Sequence, residues 1–313
     1  MMLKRIKIRI KKKIESYLYS KIGNVLNKKI LQKDFINIFS QLQQFYNAPD
    51  EMLSSKVEAR TVVTDIVERF EKNGAIIKRE KIDADDFNRW ISDNPEMSGH
   101  YNNQGDVKIE KLLEHYLTTH YLQITGRSIT YIDIAAASSP FASVVAKHTG
   151  CNALGQDLIF KDGVHGNKIG SDAGEMPVID NFADVLTLHC AYECFQGDSD
   201  IRFIKEASRV LKTNGRLGIV PLYIDDVYFV KTGPRCDKRK IKIEPDARWI
   251  WRDDQYDSEP FSRHYSPESF ITRVIDNSPR LKCELLYFIN LDELRSKHIG
   301  QRIYCNFMFR AVK

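Results

Sequence analysis

Three aspartates fall where a parallel sheet would use them. Asp133 lies near the end of "YIDIA", Asp157 closes "ALGQD" 24 residues later, and Asp172 follows 15 further on, in "GSDAGEMP". Open parallel sheets bind ligands at the carboxyl ends of their strands. An acid after the second strand can accept both hydroxyls of a ribose. A third acid, one strand over, can accept from an adenine amino group. The ordered set points to an adenosine-containing ligand, although each aspartate alone has an ordinary alternative as a loop start or helix cap. Further along, "LHCAYECF" places His189 and Glu193 after another apolar strand. Histidine, with an ordinary pKa of about 6.5, suits general-base work. The plain alternative is a hydrogen-bonded packing residue.

These side chains need elements to hold them, and from residue 129 the pattern alternates. "ITYIDIA", "NALGQDL", "NFADVLTLHC" and "RLGIVPLYI" read as strands; "PFASVVAKHTG", closed by Gly150, and "DSDIRFIKEASRVLKTNG", capped by Asp198 or Ser199 and stopped by Gly215, read as helices. Apolar strand runs alternating with helices predict a parallel sheet covered on both faces. "KCELLYFIN" and "RIYCNFMFRAV" read as an antiparallel pair at one edge. The loop after the first strand, Ala135 to Pro140, holds no glycine. Its three glycine-like positions are Ala135, Ala137 and Ser139. Alanine is small but resists positive φ. Ser138 and Ser139 can hydrogen-bond a carboxylate, and Ser139 before Pro140 suits a helix start.

The stretches 131–142, 153–160, 169–195 and 203–223 together resemble the core of class I S-adenosylmethionine-dependent methyltransferases, over roughly a third of the chain. The resemblance implies a Rossmann-like α/β sheet of seven strands, the last pair antiparallel, in a domain from 126 to 313. It implies S-adenosylmethionine as cofactor. Asp133, Ala135, Ala137, Ser138 and Ser139 would form the first loop. Asp157, with Leu158, would hold the ribose, Asp172-Ala173 the adenine, and His189 would stand near the methyl group. His189 and Glu193 are then the candidate catalytic residues. Glu193-Cys194 stands where many relatives have Glu-His, which puts metal use in doubt, and no metal site is expected.

The chain has 313 residues, 42% hydrophobic and 28% charged, with net charge +5. Residues 1–33 hold eleven Lys or Arg against Glu15 alone, so they carry +10 and the remainder about −5. The basicity belongs to a tail, so nucleic acid is not an expected partner. Ile6, Ile10, Ile14, Leu18, Ile22 and Val25 form one apolar face in that tail, as in a helix lying on anionic lipid. The alternative is a helix docked on its own domain or on a partner. Residues 34–125 read as a mainly helical cap, interrupted by the polar "FNRWISDNPEMSGHYNNQGD", which is either a substrate lid or a plain connection. The six cysteines lack metal-binding spacing and read as reduced thiols in the cytoplasm, with peripheral contact to the inner face of the plasma membrane through 3–31.

The insertion at 222–281 should hold the methyl acceptor. Tyr101, Tyr223, Trp249, Trp251, Arg263, His264 and Tyr265 are its candidate contacts, and Trp249 with Trp251 would offer a sugar platform unless they cover the core. The expected reaction is O-methylation of a sugar in a surface polysaccharide or lipid-linked glycan, among glycan-assembly partners. Three alternatives stay open: a methyltransferase of small metabolites, a non-catalytic scaffold at the membrane, and a nicotinamide-dependent dehydrogenase. The last would want glycines at 135–140 for a pyrophosphate.

Overall fold

The computed structural model describes residues 45–46, 60–232, 244, 246–251, 261–278 and 280–313. The basic segment 1–33, with its expected amphipathic helix, lies outside them. The described chain builds one large sheet between two helical layers and a small second sheet beside it.

The large sheet has eight strands: β2 (Ile77–Glu80), β3 (Thr130–Ile134), β4 (Asn152–His165), β5 (Lys168–Gly170), β6 (Ala183–His189), β7 (Leu211–Val220), β11 (Lys282–Phe288) and β12 (Phe307–Val312). Their order is β2-β11-β12-β7-β6-β3-β4-β5. β4, β3, β6 and β7 run parallel, and β12 is antiparallel to both its neighbours. Removing β2 leaves the seven strands expected from the sequence, with the antiparallel pair in place. β2, in the segment read as a helical cap, adds an eighth strand parallel to β11.

Period-two alternation feeds both faces of this sheet. Ile132 and Ile134 of β3 enter one core with Leu186, Leu188, Leu217 and Ile219. Tyr131 and Val185 enter the other. The first core is closed by α1 (Arg60–Lys72), α6 (Ser199–Val210) and α7 (Pro267–Phe270). The second is closed by α2 (Ala84–Asp93), α3 (Pro95–His100), α4 (Lys108–Leu122), α5 (Phe141–Thr149) and α8 (Leu291–Lys297).

The polar stretch after Asp86 is mostly helical, with a turn over residues 101–104. Asp83 accepts from the amides of Asp85 and Asp86, starting α2, and Pro95 starts α3. Local capping outweighed the polar composition. Two other boundaries differ. α4 ends at Leu122, capped by Gln123 in the left-handed region; the cap lies three residues before the Gly126 that the sequence offers as a stop. α6 runs directly into β7 at Leu211, so Gly215 lies within a strand.

The insertion supplies the small sheet: β8 (Phe229–Thr232), β9 (Arg248–Trp251) and β10 (Phe261–His264), joined by β1 (Phe45–Tyr46), in the order β1-β9-β8-β10. Among the described residues there is no disulfide, no cluster able to hold a metal ion, and no helix long and apolar enough to cross a membrane.

Candidate active site

The loop after β3 adopts the conformation for which glycine was wanted. Ala135 and Ala137 have φ of +54° and +44°. Each costs an L-residue about 1–2 kcal/mol. β4 holds the strained backbone. The Ala135 amide donates to Gln156 Oε1 at 3.3 Å, Ala136 to the Gln156 carbonyl at 2.9 Å, and Ala137 to Asp157 Oδ2 at 2.7 Å. Glycine serves from the neighbouring strand instead: a Cβ on Gly155 would meet that of Ala136 at 3.3 Å. Ser139 Oγ accepts from the Phe141 amide at 3.2 Å at the start of α5. Ser138 is exposed on the loop.

The second and third acids are also fixed. Asp157 Oδ1 accepts from the Ile159 amide at 3.0 Å. Asp172 Oδ1 accepts from Gly174, and its Oδ2 accepts from Arg202 Nη2 at 2.9 Å. Arg202, on α6, is a site residue the sequence did not announce. Nothing in its spacing marks it, since the pair forms across 30 residues. Gln156 was also missed, though a glutamine inside an apolar strand was a visible signal. It is 1% exposed and ties the loop to the Ser171 carbonyl.

Ala135, Asp157, Leu158, Asp172 and Ala173 line one cavity of about 670 Å³, faced by residues 194–199 and Arg202. Asp133 and His189 do not line it. Asp133, 2% exposed, accepts from Thr187 Oγ1 at 3.1 Å and lies 3.0 Å from His189 Nδ1. His189 Nε2 shares a bond of 2.9 Å with the Thr118 hydroxyl of α4. Both ring nitrogens are thus engaged, and the imidazole ties α4 to the ends of β3 and β6.

Next to it, α4 brings charge into the core. Glu110 and Glu114 sit on the same buried face as Leu113 and Leu117. Burial raises both carboxyls to about 7. Lys111 Nζ bonds Glu114 Oε1 at 3.0 Å and also reaches Cys190 Sγ. Burial opposes the ammonium, but Glu114 and Cys190 outweigh it and hold its pKa well above the ordinary lysine value. Cys190, at φ +44°, places its sulfur 3.6 Å from Glu193 Oε1 and from Tyr223 Oη. Tyr101 bonds His115 Nε2 at 2.8 Å, and burial keeps the His115 ring neutral. Tyr101, His189, Glu193 and Tyr223, named separately from the sequence, therefore converge around α4. Acids within an apolar helical stripe were the available signal for Glu110 and Glu114.

The remaining insertion residues lie elsewhere. Trp249 is 1% exposed in the core, its Nε1 donating to the Glu244 carbonyl, so it is no exposed sugar platform. The Trp251 side chain lies outside the described residues. His264 is buried against Phe229. Arg263, fully buried, donates to the carbonyls of Phe195 and Gly197 at 2.7 Å and pairs with Asp200 at 3.0 Å and with Glu244. Tyr265 Oη and Arg273 complete the ring around Asp200. This network shapes the 195–197 wall of the cavity from behind.

Residues 116–219 match the methyltransferase domain family. That match spans β3 to β7 and includes every residue lining the cavity. S-adenosylmethionine is the cofactor expected for this methyltransferase domain. No curated protein matches the chain in sequence. Similar solved structures include the S-adenosylmethionine-dependent methyltransferase from Mesorhizobium loti, 14% identical, with a TM-score of 0.42 over 63% of this chain and 97% of that one. A SAM-dependent methyltransferase from Aquifex aeolicus is 12% identical, with a TM-score of 0.36 over 74% and 98%. The YcgJ protein of Bacillus subtilis is 15% identical, with a TM-score of 0.37 over 64% and 98%.

The residues present fit the cofactor. Two carboxylates suited to hydroxyl and amino donors line one cavity, and the loop after β3 beside them already holds the positive φ that close approach requires.

Proposed function

We propose that this chain transfers a methyl group from S-adenosylmethionine to a hydroxyl of a sugar, in a surface polysaccharide or a lipid-linked glycan. The observation that carries the reading is the joint lining of one cavity by Ala135 just after β3, Asp157 within β4 and Asp172 just after β5, three neighbouring strands. Asp157 would hold the ribose, Asp172 with Arg202 the adenine end, and Ala135, Ala137 and the serines the methionyl end. The bound cofactor supplies an electrophilic methyl on a sulfonium. The protein's task is to align an oxygen with it and accept a proton.

His189 acts as a positioning residue, because Asp133 and Thr118 hold its two nitrogens. Glu193, beside Cys190 and Tyr223, is the proton acceptor in this reading. Lys111 and Glu114 fix Cys190, and Tyr101 and Tyr223 border the acceptor. Support for a sugar comes from the aromatic and charged composition of the insertion. Support for a membrane-bound acceptor comes from the basic, apolar-striped residues 3–31. That segment would hold the enzyme on the cytoplasmic membrane face, near other glycan-assembly proteins.

The test has two parts. S-adenosylhomocysteine release should be stimulated by a neutral glycan fraction, and Glu193→Gln should lower turnover by about 10²–10⁴-fold without changing S-adenosylmethionine affinity. Release unaffected by any glycan would reject the acceptor. The chain should also sediment with anionic vesicles and cease to do so when residues 1–31 are removed; continued pelleting would reject the membrane role.

A further inference from the structure

Gln196 lines the cavity of about 670 Å³ and has had no role so far. It is half-buried, on the short loop that leads into α6. Its Oε1 is enclosed and has no hydrogen-bond partner among the described residues. Enclosed polar groups in proteins are nearly always paired, so an orphan acceptor in a cavity wall asks for an explanation.

The peptides on either side of Gln196 are fixed from behind. The Phe195 carbonyl accepts from Arg263 Nη1 at 2.7 Å. The Gly197 carbonyl accepts from Arg263 Nη2 and from Arg273 Nη2, each at 2.7 Å. The Gln196 carbonyl accepts from the Ser199 amide at 3.1 Å. Three successive carbonyls are thus held, while the side-chain oxygen between them is left unused. Burying a guanidinium such as Arg263 is costly, and one thing it fixes here is the placement of a neutral carboxamide.

A chain of hydrogen bonds leads from Gln196 to the acid expected at the adenine. Ser199 Oγ accepts from Arg202 Nη2 at 2.9 Å, and the same nitrogen donates to Asp172 Oδ2 at 2.9 Å. Gln196 and Asp172 therefore belong to one rim, joined through the start of α6. Asp172 can accept one hydrogen of an amino group. An adenine amino group has two, and the ring nitrogen N7 beside it needs a donor.

A carboxamide offers an acceptor and a donor side by side, which matches the 6-amino group and N7 of adenine. The last torsion of a glutamine side chain is soft, so its two ends exchange by a half-turn. Because Oε1 has no partner, turning it toward a ligand breaks no hydrogen bond. We propose that Gln196 is a specificity-determining residue that reads the base. Its Oε1 accepts the second amino hydrogen and its Nε2 donates to N7, while Asp172 takes the first. The inference rests on the cavity taking S-adenosylmethionine and adds the residue that recognises this edge of the base.

Isothermal titration of the full chain with S-adenosylhomocysteine and with its 7-deaza analogue, which carries C–H in place of N7, tests it. The parent should bind the analogue about fivefold more weakly, the effect of one lost neutral hydrogen bond. Gln196→Met keeps the length of the side chain and removes its hydrogen-bonding groups. It should weaken S-adenosylhomocysteine about tenfold and bring the two ligands to within about twofold of each other. Gln196→Glu accepts but cannot donate when ionised, so it should reverse the preference, favouring the analogue by about twofold or more. Both variants should keep the parent's melting temperature. A parent that binds the two ligands equally, or a preference that survives Gln196→Met, overturns the proposal and leaves the S-adenosylmethionine reading standing. A folded parent that binds neither ligand overturns both.

Discussion

Asp172 and Glu114 are both carboxylates held by a basic side chain, yet the Asp172 side chain is 42% exposed and that of Glu114 is 1% exposed. Asp172 stands at the rim of a cavity, on a short loop after a strand. Glu114 is sealed between α4 and the ends of β6 and β7. The same contrast separates Asp157, which meets its cavity directly, from the Asp200–Arg263–Glu244 ring behind the cavity wall. Open acids can exchange their present donors for those of a ligand at little desolvation cost. Sealed ones cannot, because stripping a partner leaves a charge uncompensated in a poorly polarisable interior. On the proposed reading, the half-exposed acids are the ones that meet the ligand and the buried ones shape the site.

The contrast breaks if a sealed charge proves dispensable. Arg263→Ala removes one partner from a fully buried ring and should lower stability by about 3–5 kcal/mol, read from urea unfolding. A loss under 1 kcal/mol would mean that the ring is wet.

The second prediction concerns Glu110. Its folded pKa is raised from 4.5 to about 7 by burial. The folded state therefore binds the proton more tightly than the unfolded state. The stability this contributes is complete below about pH 4.5 and is lost as pH rises through about 7. Glu110→Gln mimics the protonated carboxyl and keeps an acceptor for the Tyr304 amide, which Glu110 Oε2 now bonds at 3.0 Å. The variant should be more stable than the parent at pH 8, by on the order of 2 kcal/mol, and should flatten the decline between pH 5 and 7. A variant less stable at pH 8 would show the carboxylate to be stabilised as an anion.

The third acts on the open side. Asp157→Ala should weaken S-adenosylmethionine binding by roughly tenfold or more, with little change in the urea midpoint. Unchanged affinity would dissociate Asp157 from the ribose. The smallest effect is expected at the loop. Ala137→Gly relieves about 1–2 kcal/mol of backbone strain and frees the unfolded chain by about 0.4–1 kcal/mol. The net is a rise in melting temperature of a few degrees at most, with cofactor affinity retained. A fall in melting temperature would place the methyl group of Ala137 among the packing contacts.

What the sequence disclosed follows the same division. The order of strands and the antiparallel closing pair were legible because they depend on local periodicity and chain order; of the three acids, Asp157 and Asp172 face one cavity, whereas Asp133 is buried against His189. The helix start was legible to within one residue: α5 begins at Phe141 with Pro140 in the cap position, and Ser139 Oγ accepts from the Phe141 amide. The positive φ of Ala135 and Ala137 was not, since it is imposed by Gln156 and Asp157 from the next strand. The pairing of Arg202 with Asp172, and of His189 with Thr118, joins elements far apart in the chain and leaves no spacing to read. Trp249 read equally well as platform or core, because alternation gives the face of a strand but not which face is covered. β2 was hidden by its length: four residues, IKRE, carry no apolar run.

The central claim is that the cavity between β3, β4 and α6 takes S-adenosylmethionine. Isothermal titration of the full chain with S-adenosylmethionine, and in parallel with NAD, tests it most directly. The account predicts saturable one-to-one binding of S-adenosylmethionine, weakened by Asp157→Ala, and no heat from NAD. A folded protein that binds NAD, or that gives no heat with S-adenosylmethionine, would contradict it.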